Sequence, residues 1–345
     1  MSILNLRLQH FRSYSDATFR LSPGVTIVVG PNASGKTNLL ESILVMARGG
    51  SYRAKDADLI AFDQTWSRID AETDDHTRTV KLEPTKSFII GNQSMTRLSM
   101  QRSLPVVLFE PNHLLLLHGS PSLRRDFMDE LIEQTQERYA ATRRHYKRVL
   151  AQRGTLLKKN PKGLSEQLFV WNVRLSELGG QIARQRLELI RQLEPRVQSL
   201  YASLAGRGNV ALRYLSPLPL DSYETALLQK LESNIQLDVL RGFTPYGPHR
   251  DDLQVLLDGR PTTEVASRGE MRTLVLALKI IELELLESAR GQKPLLLLDD
   301  VFSELDSKRR QSLVSFVTRY QTLITTTDAD ASRYFTDSTI ISTKI

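Results

Sequence analysis

Residues 25–43 read "VTIVVGPNASGKTNLLESI", and this stretch decides the fold. An apolar run of strand length enters a glycine-rich turn, and a helical pattern leaves it. The turn has the spacing Gly30-x-x-x-x-Gly35-Lys36-Thr37, in which glycines allow backbone angles that turn several N–H groups toward one point. The start of the following helix adds positive potential at the same place. The stretch therefore predicts a phosphate-binding loop between a buried strand and a helix.

This loop predicts a nucleotide site that takes ATP and Mg²⁺. Lys36 would contact the β- and γ-phosphates and serve catalysis, and the Thr37 hydroxyl would bind Mg²⁺. The residues expected to contact the nucleotide are Gly30, Pro31, Asn32, Ala33, Ser34, Gly35, Lys36, Thr37 and Asn38. The alternative is a glycine-rich turn beside a capped helix.

A second stretch, "KPLLLLDDVFSELDSKRR" (residues 293–310), supplies two carboxylates. Four leucines predict a fully buried strand that ends in Asp299 and Asp300. Asp299 is placed to hold the Mg²⁺ shell, usually through water, and Asp300 could polarise an attacking water as the catalytic carboxylate. Either carboxylate could instead cap the turn that follows.

Composition bounds the class of protein. The chain has 345 residues, of which 41% are hydrophobic and 25% charged, as expected for a globular protein of about two domains. It has no cysteine, which excludes disulfides and cysteine-based zinc sites. No apolar run approaches the roughly 18 residues of a membrane helix, and the first residues lack a signal-peptide pattern. The expectation is a cytoplasmic protein.

The net charge of +7 is concentrated in the middle of the chain. Residues 111–244 hold 20 Lys and Arg against 13 Asp and Glu, an excess of 7, and the remaining 26 basic and 26 acidic residues cancel. Residues 138–162 carry nine basic residues and no acid. A solvated helix face is the plain interpretation of such a run, but the absence of any compensating acid favours a polyanionic partner.

Hydrophobic periodicity places this basic segment in a helical insertion. Strand patterns occupy residues 3–29, a helix runs from Lys36 to about Ala47, and residues 48–110 suit an antiparallel meander. Residues 121–203 are helical, and the last part predicts a helix at 271–289, a strand at 295–299, a helix at 307–319 and a strand at 322–326. We expect a discontinuous head domain (1–110 and 245–345) and a mainly helical basic lobe (111–244).

The order of these motifs resembles the ABC-type ATPase head of the SMC and RecF group. Three further stretches resemble the RecF family of bacterial recombinational-repair proteins: "LQHFRSYSDATFRLS" before the loop, "PNHLLLLHGSPSLRRDFMD" (111–129) and "TPYGPHRDDLQVLLDGR" (244–260). Asn112 departs from an acidic residue that is usual there. The resemblance implies an α/β fold of the ABC-type ATPase head, with a mixed sheet around the P-loop helix, an antiparallel β part and an inserted mainly helical lobe.

The same resemblance implies a function. The family members are ATP-dependent DNA-binding dimers with a weak, DNA-stimulated ATPase activity, in which slow hydrolysis is used as a release switch. With RecO and RecR they promote loading of RecA on single-stranded gaps beside duplex DNA, which supports replication-fork maintenance and the SOS response. Partners expected for this chain are therefore DNA, RecR, RecO, indirectly RecA, and a second copy of itself, with no membrane.

In this family a signature loop docks on the γ-phosphate held by the other subunit. Here that position is "VASRGEMRTLVLALK" (265–279), and Ser267, the Gly269 backbone and the helix start would form the anion site in trans. Arg268 stands where Gln is common. Ser267 and Glu270 also have the spacing of a capping box, which explains neither Gly269 nor Arg268. At Asp300, typical ABC ATPases carry Glu, although RecF chains generally share the Asp.

Several further assignments rest on position within related heads. "SELD" (303–306) would lie across the dimer interface. Thr326 or Thr327 stands near the place of a γ-phosphate sensor, although an ordinary strand-end Thr explains either one equally. Arg12 and Ser13 lie where related heads touch the nucleotide, and a plain turn is the alternative.

The basic run predicts the DNA-facing surface. Arg143 with Lys147, and Arg144 with Arg148, are i,i+4 pairs, and like charges at this spacing cost a few tenths of a kcal/mol each. Phosphates would relieve that cost and release counterions. The expected DNA contacts are Arg143, Arg144, Lys147, Arg148, Arg153, Lys158 and Lys159. Tyr139 and Tyr146 are interpreted as packing residues rather than base-stacking ones, and recognition independent of base sequence is expected.

Two other functions agree less well with the sequence. A transporter-coupled ATP-binding subunit disagrees with the basic helical insertion and the RecF-like stretches. A structural SMC-like protein with long arms disagrees with an insertion of about 130 residues whose helical pattern is broken.

Overall fold

A computed structural model describes residues 1–83, 85–328, 333–335 and 338–343. The side chains of residues 303, 304, 307 and 308 lie outside this description. The chain divides into two compact units, which we call the first unit (Met1–His113 with Val275–Ile345) and the second unit (Leu114–Leu274). Residues 245–274, placed in the head by the sequence analysis, group with the second unit.

The helices and strands are numbered in chain order. The strands are β1 (Ile3–Phe11), β2 (Tyr14–Arg20), β3 (Val25–Val29), β4 (Ser67–Thr73), β5 (Thr77–Leu82), β6 (Ser87–Ile90), β7 (Gln93–Met95), β8 (Val106–Phe109), β9 (Val210–Leu215), β10 (Asp252–Leu257), β11 (Arg260–Pro261), β12 (Leu295–Asp299), β13 (Thr322–Thr326) and β14 (Ser338–Ser342). The helices are α1 (Lys36–Arg48), α2 (Leu115–His118), α3 (Pro121–Thr135), α4 (Tyr139–Lys159), α5 (Leu164–Ala205), α6 (Tyr223–Ser233), α7 (Ile235–Arg241), α8 (Thr262–Val265), α9 (Arg268–Arg290), α10 (Val301–Glu304) and α11 (Ser307–Val317).

A five-stranded sheet forms the centre of the first unit, in the order β14-β3-β13-β12-β8. Every described pairing in it is parallel. The reason is visible in β12, whose five residues are all buried, because a strand covered on both faces needs a continuous apolar run. Parallel strands end at one edge of a sheet, so β3 and β12 deliver the glycine-rich loop and Asp299 to the same edge.

Helix α1 follows β3 directly through the glycine-rich loop. Ten of its 13 residues are buried, so it is enclosed in the core of the first unit. It ends at Arg48, where Gly49 takes a left-handed conformation (φ 84°) and its N–H donates to the Val45 carbonyl. The helix predicted from residue 36 to about 47 is therefore confirmed to within one residue.

The antiparallel part of the first unit is a separate six-stranded sheet, in the order β2-β1-β4-β5-β6-β7. Buried and exposed residues alternate along β4 and β5, as expected for a sheet with one face on the core. The fold class predicted from sequence is confirmed. The five-stranded sheet beside α1 is parallel in its described pairs, and the antiparallel strand pairings of the first unit lie in the six-stranded sheet.

The second unit combines long helices with a small sheet. Helix α5 has 42 residues, with Pro195 inside it, and buries one periodic face. Strand β10 pairs antiparallel with β9 and with β11. This pairing joins residues 252–261 to the strand that follows α5, and it explains why the stretch before α9 belongs to this unit. In the described ranges of the chain, no helix is long and apolar enough to span a membrane.

Candidate functional site

The glycine-rich loop lies between β3 and α1 in a conformation that needs its glycines. A Cβ at Gly30 would stand 2.9 Å from the Thr343 carbonyl oxygen, which no side chain tolerates without a backbone shift. Gly35 has φ 87°, in the left-handed region, and Tyr14 donates a hydrogen bond from its hydroxyl to the Gly35 carbonyl at 3.1 Å. Gly30 is therefore required because the Thr343 backbone lies close to it, and Gly35 because of its left-handed backbone angle.

Lys36 is held over this loop. Its side chain is buried, and Nζ donates to the carbonyl oxygens of Gly30 and Pro31, both at 2.9 Å. An ammonium fixed by two loop carbonyls places a positive charge where the loop faces outward. Pro31, Asn32 and Ala33 are exposed at this point, so an anion can reach it.

Thr37 and Asp299 meet although 262 residues separate them in the chain: the Thr37 hydroxyl donates to Asp299 Oδ1 at 3.0 Å. Asp299 is 7% exposed and also accepts from the Thr325 hydroxyl at 2.7 Å. One hydroxyl and one carboxylate oxygen are ligands that suit Mg²⁺, which keeps several water or phosphate ligands of its own. The described residues contain no group of three or more His, Cys, Asp or Glu side chains that could hold a metal ion.

Asp300 adopts an unusual backbone conformation, with φ 51° and ψ 15°. Its N–H donates to the Thr325 carbonyl at 3.2 Å and to the Thr325 hydroxyl at 3.0 Å. Left-handed angles at a non-glycine residue cost about 1 kcal/mol or more and persist where surrounding contacts enforce them. Burial raises the pKa of the Asp300 carboxyl; the charge of Lys36 opposes this rise and that of Asp299 adds to it.

Two residues of this edge escaped the sequence analysis. Thr325 contacts both Asp299 and Asp300, but nothing in "TLITT" distinguishes it from its neighbours. Glu110 directly follows β8, beside Asp299, because Leu298 pairs with Phe109. Burial raises the pKa of Glu110, and the charge of Asp299 adds to this effect. The signal for Glu110 was present, since an acid follows a buried strand there just as it does after β12.

Arg12 and Ser13 contact residues of α1, including Asn38, beside the loop. Arg12 donates from Nε and Nη2 to the Glu41 carboxylate at 2.9 and 3.0 Å, and from Nη1 to the Asp58 carbonyl at 2.7 Å. Asn38 donates to the Ser13 hydroxyl at 3.0 Å. The Arg12 guanidinium therefore braces α1 in this structure rather than standing free at the loop.

The Glu41 carboxylate also accepts hydrogen bonds from Arg53 Nη2, at 2.9 Å, and from the Ser51 hydroxyl. Burial alone would raise the pKa of Glu41, but the hydrogen bonds from Arg12, Arg53 and Ser51 lower it to about 2. A buried carboxylate in the second turn of α1 is thus fully compensated.

The signature stretch begins α9 as a capping box. The Ser267 hydroxyl and N–H both donate to Glu270 Oε2, at 2.7 and 2.8 Å, and the Glu270 N–H donates back to the Ser267 hydroxyl at 3.3 Å. These hydrogen bonds lower the pKa of Glu270. Ser267 and Arg268 are exposed, and Gly269 is half-buried. Ser267 lies in the second unit and the glycine-rich loop in the first.

Of the other residues expected to contribute to the ATPase head, Thr326 and Thr327 are described by the structure and "SELD" is described in part. Thr326 is buried, and its hydroxyl accepts from the Asp328 N–H at 3.0 Å, so it closes the turn after β13. Thr327, next to it, is exposed. The Ser303 and Glu304 side chains of "SELD" lie outside the described residues, and Asp306 caps α11 by accepting from the Arg309 N–H at 2.9 Å.

The basic stretch of α4 splits into two faces. Arg144, Lys147 and Arg148 are exposed, as are Lys158 and Lys159 near the helix end. Tyr139 and Tyr146 are buried, at 0% and 3% exposure, which agrees with packing rather than base stacking.

Two of the expected DNA contacts lie on the buried face, and the structure corrects them. Arg153 is 0% exposed and forms an ion pair with Asp238 at 2.8 Å. Arg143 is bound by Asp126, Asp129 and Glu133 at 2.9, 2.9 and 3.1 Å. Helical spacing could have shown this, because residues 139, 143, 146, 149, 153 and 157 follow one stripe of the helix, and its apolar members are buried.

The chain is similar to known proteins in sequence and in structure. The family described as RecF/RecN/SMC N terminal domain matches residues 2–338. The chain is 34% identical to the DNA replication and repair protein RecF of Heliobacterium modesticaldum, covering 96% of this chain and 94% of that protein. It is 36% identical to the protein of the same name from Gloeobacter violaceus, covering 95% and 92%.

Solved structures also resemble this chain. A structure of the recombination mediator protein RecF with ATP, from the RecFOR pathway, superposes with a TM-score of 0.87 at 27% identity, covering 95% of this chain and 93% of that one. An SMC head bound to the C-winged helix domain of ScpA superposes with a TM-score of 0.55 at 14% identity, which shows a shared fold alone.

Proposed function

Because this chain belongs to the RecF/RecN/SMC N-terminal domain family, and within it to the RecF proteins, we propose that it is a DNA replication and repair protein that binds ATP and DNA. The observation that carries the proposal is the Thr37–Asp299 contact at 3.0 Å, with Lys36 held over the same loop. Two distant segments meet there to form a site for a nucleotide phosphate and its Mg²⁺.

In this proposal the residues at the carboxyl edge of the parallel sheet have different roles in ATP binding. Thr37 and Asp299 would hold Mg²⁺, which supplies charge neutralisation at the phosphates. Lys36 and the loop from Gly30 to Thr37 bind the phosphates themselves. Asp300, held by Thr325, either accepts a proton from the attacking water or orders that water.

The carboxylate of Asp300 suits a slow reaction. It is one methylene shorter than the Glu of typical ABC ATPases, and its backbone is held in a strained conformation. We propose that hydrolysis acts as a release switch rather than as a motor.

A second copy of the chain completes the site in this proposal. Ser267, the Gly269 backbone and the N-terminus of the 23-residue α9 would bind the γ-phosphate of the partner's ATP. The exposure of Ser267 supports this role. Its hydroxyl now donates to Glu270, so docking would exchange a carboxylate acceptor for a phosphate acceptor.

DNA binding is assigned to the exposed basic face of α4, formed by Arg144, Lys147 and Arg148, with Lys158 and Lys159 near its end. None of these five forms an ion pair with another side chain that the structure describes. The RecFOR pathway named for the related structure supports RecO and RecR as partners. We propose RecA loading at gaps, replication-fork maintenance and SOS induction as the outcome.

Sedimentation and DNA binding, each with and without ATP, test the proposal. The wild-type chain should dimerise with ATP and bind gapped duplex DNA more tightly, and Lys36→Met should do neither because the phosphates lose their cation. An oligomeric state and a DNA affinity that both ignore ATP would refute the switch.

A further inference from the structure

The second unit contains a cavity of about 250 Å³ whose walls come from the two family-like stretches that the ATP site does not use. Arg125, Asp126 and Asp129 enter it from α3, and Pro248 and His249 enter from the segment before β10. Helices α4 and α5 close the remaining sides. All of these residues lie in the second unit.

Two arginines of the wall are already neutralised. Arg186, from α5, donates from Nε and Nη2 to the two oxygens of Asp129 at 2.8 and 3.0 Å. Arg143 is bound by Asp126, Asp129 and Glu133, as described above. These pairs build the rigid wall of the cavity.

Two other cations have no such partner. Arg125 is half-buried and donates from Nη1 to the Asp251 carbonyl at 2.9 Å. Lys147 is exposed on α4 and also lines the cavity. Neither forms an ion pair with any carboxylate in residues 1–83, 85–328, 333–335 or 338–343. Burial lowers the pKa of Arg125, and the charge of Arg186 adds to this effect, while the charges of Asp252 and Asp126 oppose it.

His249 and Ser122, which also line the cavity, add no charge to its wall. His249 Nε2 lies 3.0 Å from the Thr244 carbonyl, to which it donates, so Nδ1 accepts from the Tyr146 hydroxyl at 2.7 Å. Burial lowers the pKa of His249 to about 4, so the ring is uncharged at neutral pH. Ser122 lines the cavity from the first turn of α3, where a helix of 15 residues adds positive potential.

We propose that this cavity binds a phosphate group between Arg125 and Lys147. Guanidinium and ammonium groups are the usual protein ligands of phosphate, and here both face one space. The two carboxylates that line this space, Asp126 and Asp129, are each already bound by an arginine of the wall. Lys147 also belongs to the exposed basic face of α4, so the cavity opens beside the surface assigned to DNA. The phosphate is therefore one of the DNA backbone, an assignment that rests on the proposed DNA-binding function.

Inorganic phosphate tests the cavity without DNA. The nucleotide site is first saturated with a non-hydrolysable ATP analogue, and melting temperatures are compared in sodium phosphate and sodium chloride at equal ionic strength. Phosphate should raise the melting temperature of the wild type, because it binds the folded state. The increment should vanish in Arg125→Gln and Lys147→Gln and persist in Arg191→Gln, an exposed cation of α5 that does not line the cavity.

DNA binding identifies the source of the phosphate. Arg125→Gln combined with Lys147→Gln should weaken duplex binding about ten-fold, the loss expected for one charged hydrogen-bonded contact. It should also reduce the slope of log affinity against log salt by about one. Arg191→Gln, an exposed cation of α5, serves as the matched control.

Each outcome has one meaning. Loss of both the phosphate increment and the DNA contact supports the proposal in full. Loss of the increment with unchanged DNA binding keeps the phosphate cavity and overturns its DNA source. A wild type with no phosphate increment, and a double variant with an unchanged salt slope, overturn the cavity while leaving DNA binding elsewhere on the chain intact. A wild type that fails to bind DNA contradicts the proposed function, and the phosphate arm still reports on the cavity.

Discussion

Arg153 lies at the centre of a buried polar network in the second unit. It is 0% exposed, pairs with Asp238 at 2.8 Å, and donates to the Asn172 side chain at 2.8 Å and the Thr244 hydroxyl at 2.6 Å. A charge in such a place is tolerated because it is paired with a carboxylate and hydrogen-bonded to further polar groups. The residue therefore stabilises the fold and has no access to a ligand.

Arg153→Ala should destabilise the protein strongly. The change leaves Asp238 buried without its cation, which costs about 3–5 kcal/mol in comparable cases. Urea unfolding at neutral pH measures the loss of unfolding free energy. Arg148→Ala, an exposed arginine on the same helix, should change it by less than about 0.5 kcal/mol. Equal small effects of both changes would show that Arg153 is not held as described.

Glu41 should make stability depend on acid pH. Its folded pKa of about 2 lies below the ordinary value of 4.5, so its contribution is complete above about pH 4.5 and is lost as the pH falls toward 2. Glu41→Gln should lower the unfolding free energy at pH 7 on the order of 2 kcal/mol and flatten its decline between about pH 5 and pH 3. Urea titrations across that range measure both.

The control for Glu41 is Glu188→Gln, whose side chain is 52% exposed. It should leave the pH profile unchanged, since solvent screens an exposed carboxylate. A Glu41 variant with the wild-type slope would contradict the assignment of the acid-sensitive stability to the Arg12–Glu41–Arg53 cluster.

At the scale of elements, α4 performs two tasks on two faces. Its inner stripe packs Tyr139, Tyr146 and Leu157, together with the paired Arg143 and Arg153. Its outer face carries Arg144, Lys147 and Arg148. A run of nine basic residues in the sequence thus contributes fewer free charges to the surface than its number suggests.

Replacing Arg144 and Arg148 with Gln should weaken DNA binding and reduce the slope of log affinity against log salt by about one to two, because up to two phosphate contacts are lost. Fluorescence anisotropy with labelled duplex across several KCl concentrations measures this. Thermal stability should not fall, since removing an i,i+4 pair of like charges relieves a few tenths of a kcal/mol. The exposed pair Arg174→Gln and Arg191→Gln on α5 is the control, and an equal loss in both variants would argue against a localised DNA surface.

At the scale of the whole molecule, the residues proposed to bind ATP come from both units of the chain. The loop, Asp299 and Asp300 belong to the first unit, and Ser267 and Gly269 to the second. If the two parts act in trans, nucleotide binding and dimerisation can be separated by mutation.

Ser267→Arg should leave ATP affinity within about two-fold of the wild type and abolish ATP-dependent dimerisation, because a bulky side chain blocks close approach to the partner's phosphate. Lys36→Met should abolish both. Equilibrium nucleotide binding and sedimentation velocity measure the two properties. Ser267→Ala, which removes one cap worth about 1 kcal/mol, controls for loss of the helix start. A Ser267→Arg protein that loses ATP affinity as severely as Lys36→Met would rule out the assignment in trans.

Much of the molecule follows from local sequence. The loop between β3 and α1, the buried strand β12 at 295–299 and the strand β13 at 322–326 each carry their own signal: glycine spacing, an unbroken apolar run, or a strand bounded by turns. These signals are local because they depend on backbone angles and on burial along a few consecutive residues. They were sufficient to predict the fold class and the residues around Lys36.

Only the tertiary structure decided which charges are free and which carboxylates meet. It brought Thr325 and Glu110 beside Asp299, committed Arg12 to Glu41, and buried Arg153 while leaving Arg148 exposed. The physical reason is that an ion pair or a parallel strand neighbour joins residues far apart in the chain, and no local pattern encodes its partner. The sequence by itself determined where the glycine-rich loop lies, and the packing of distant segments decided which side chains surround it.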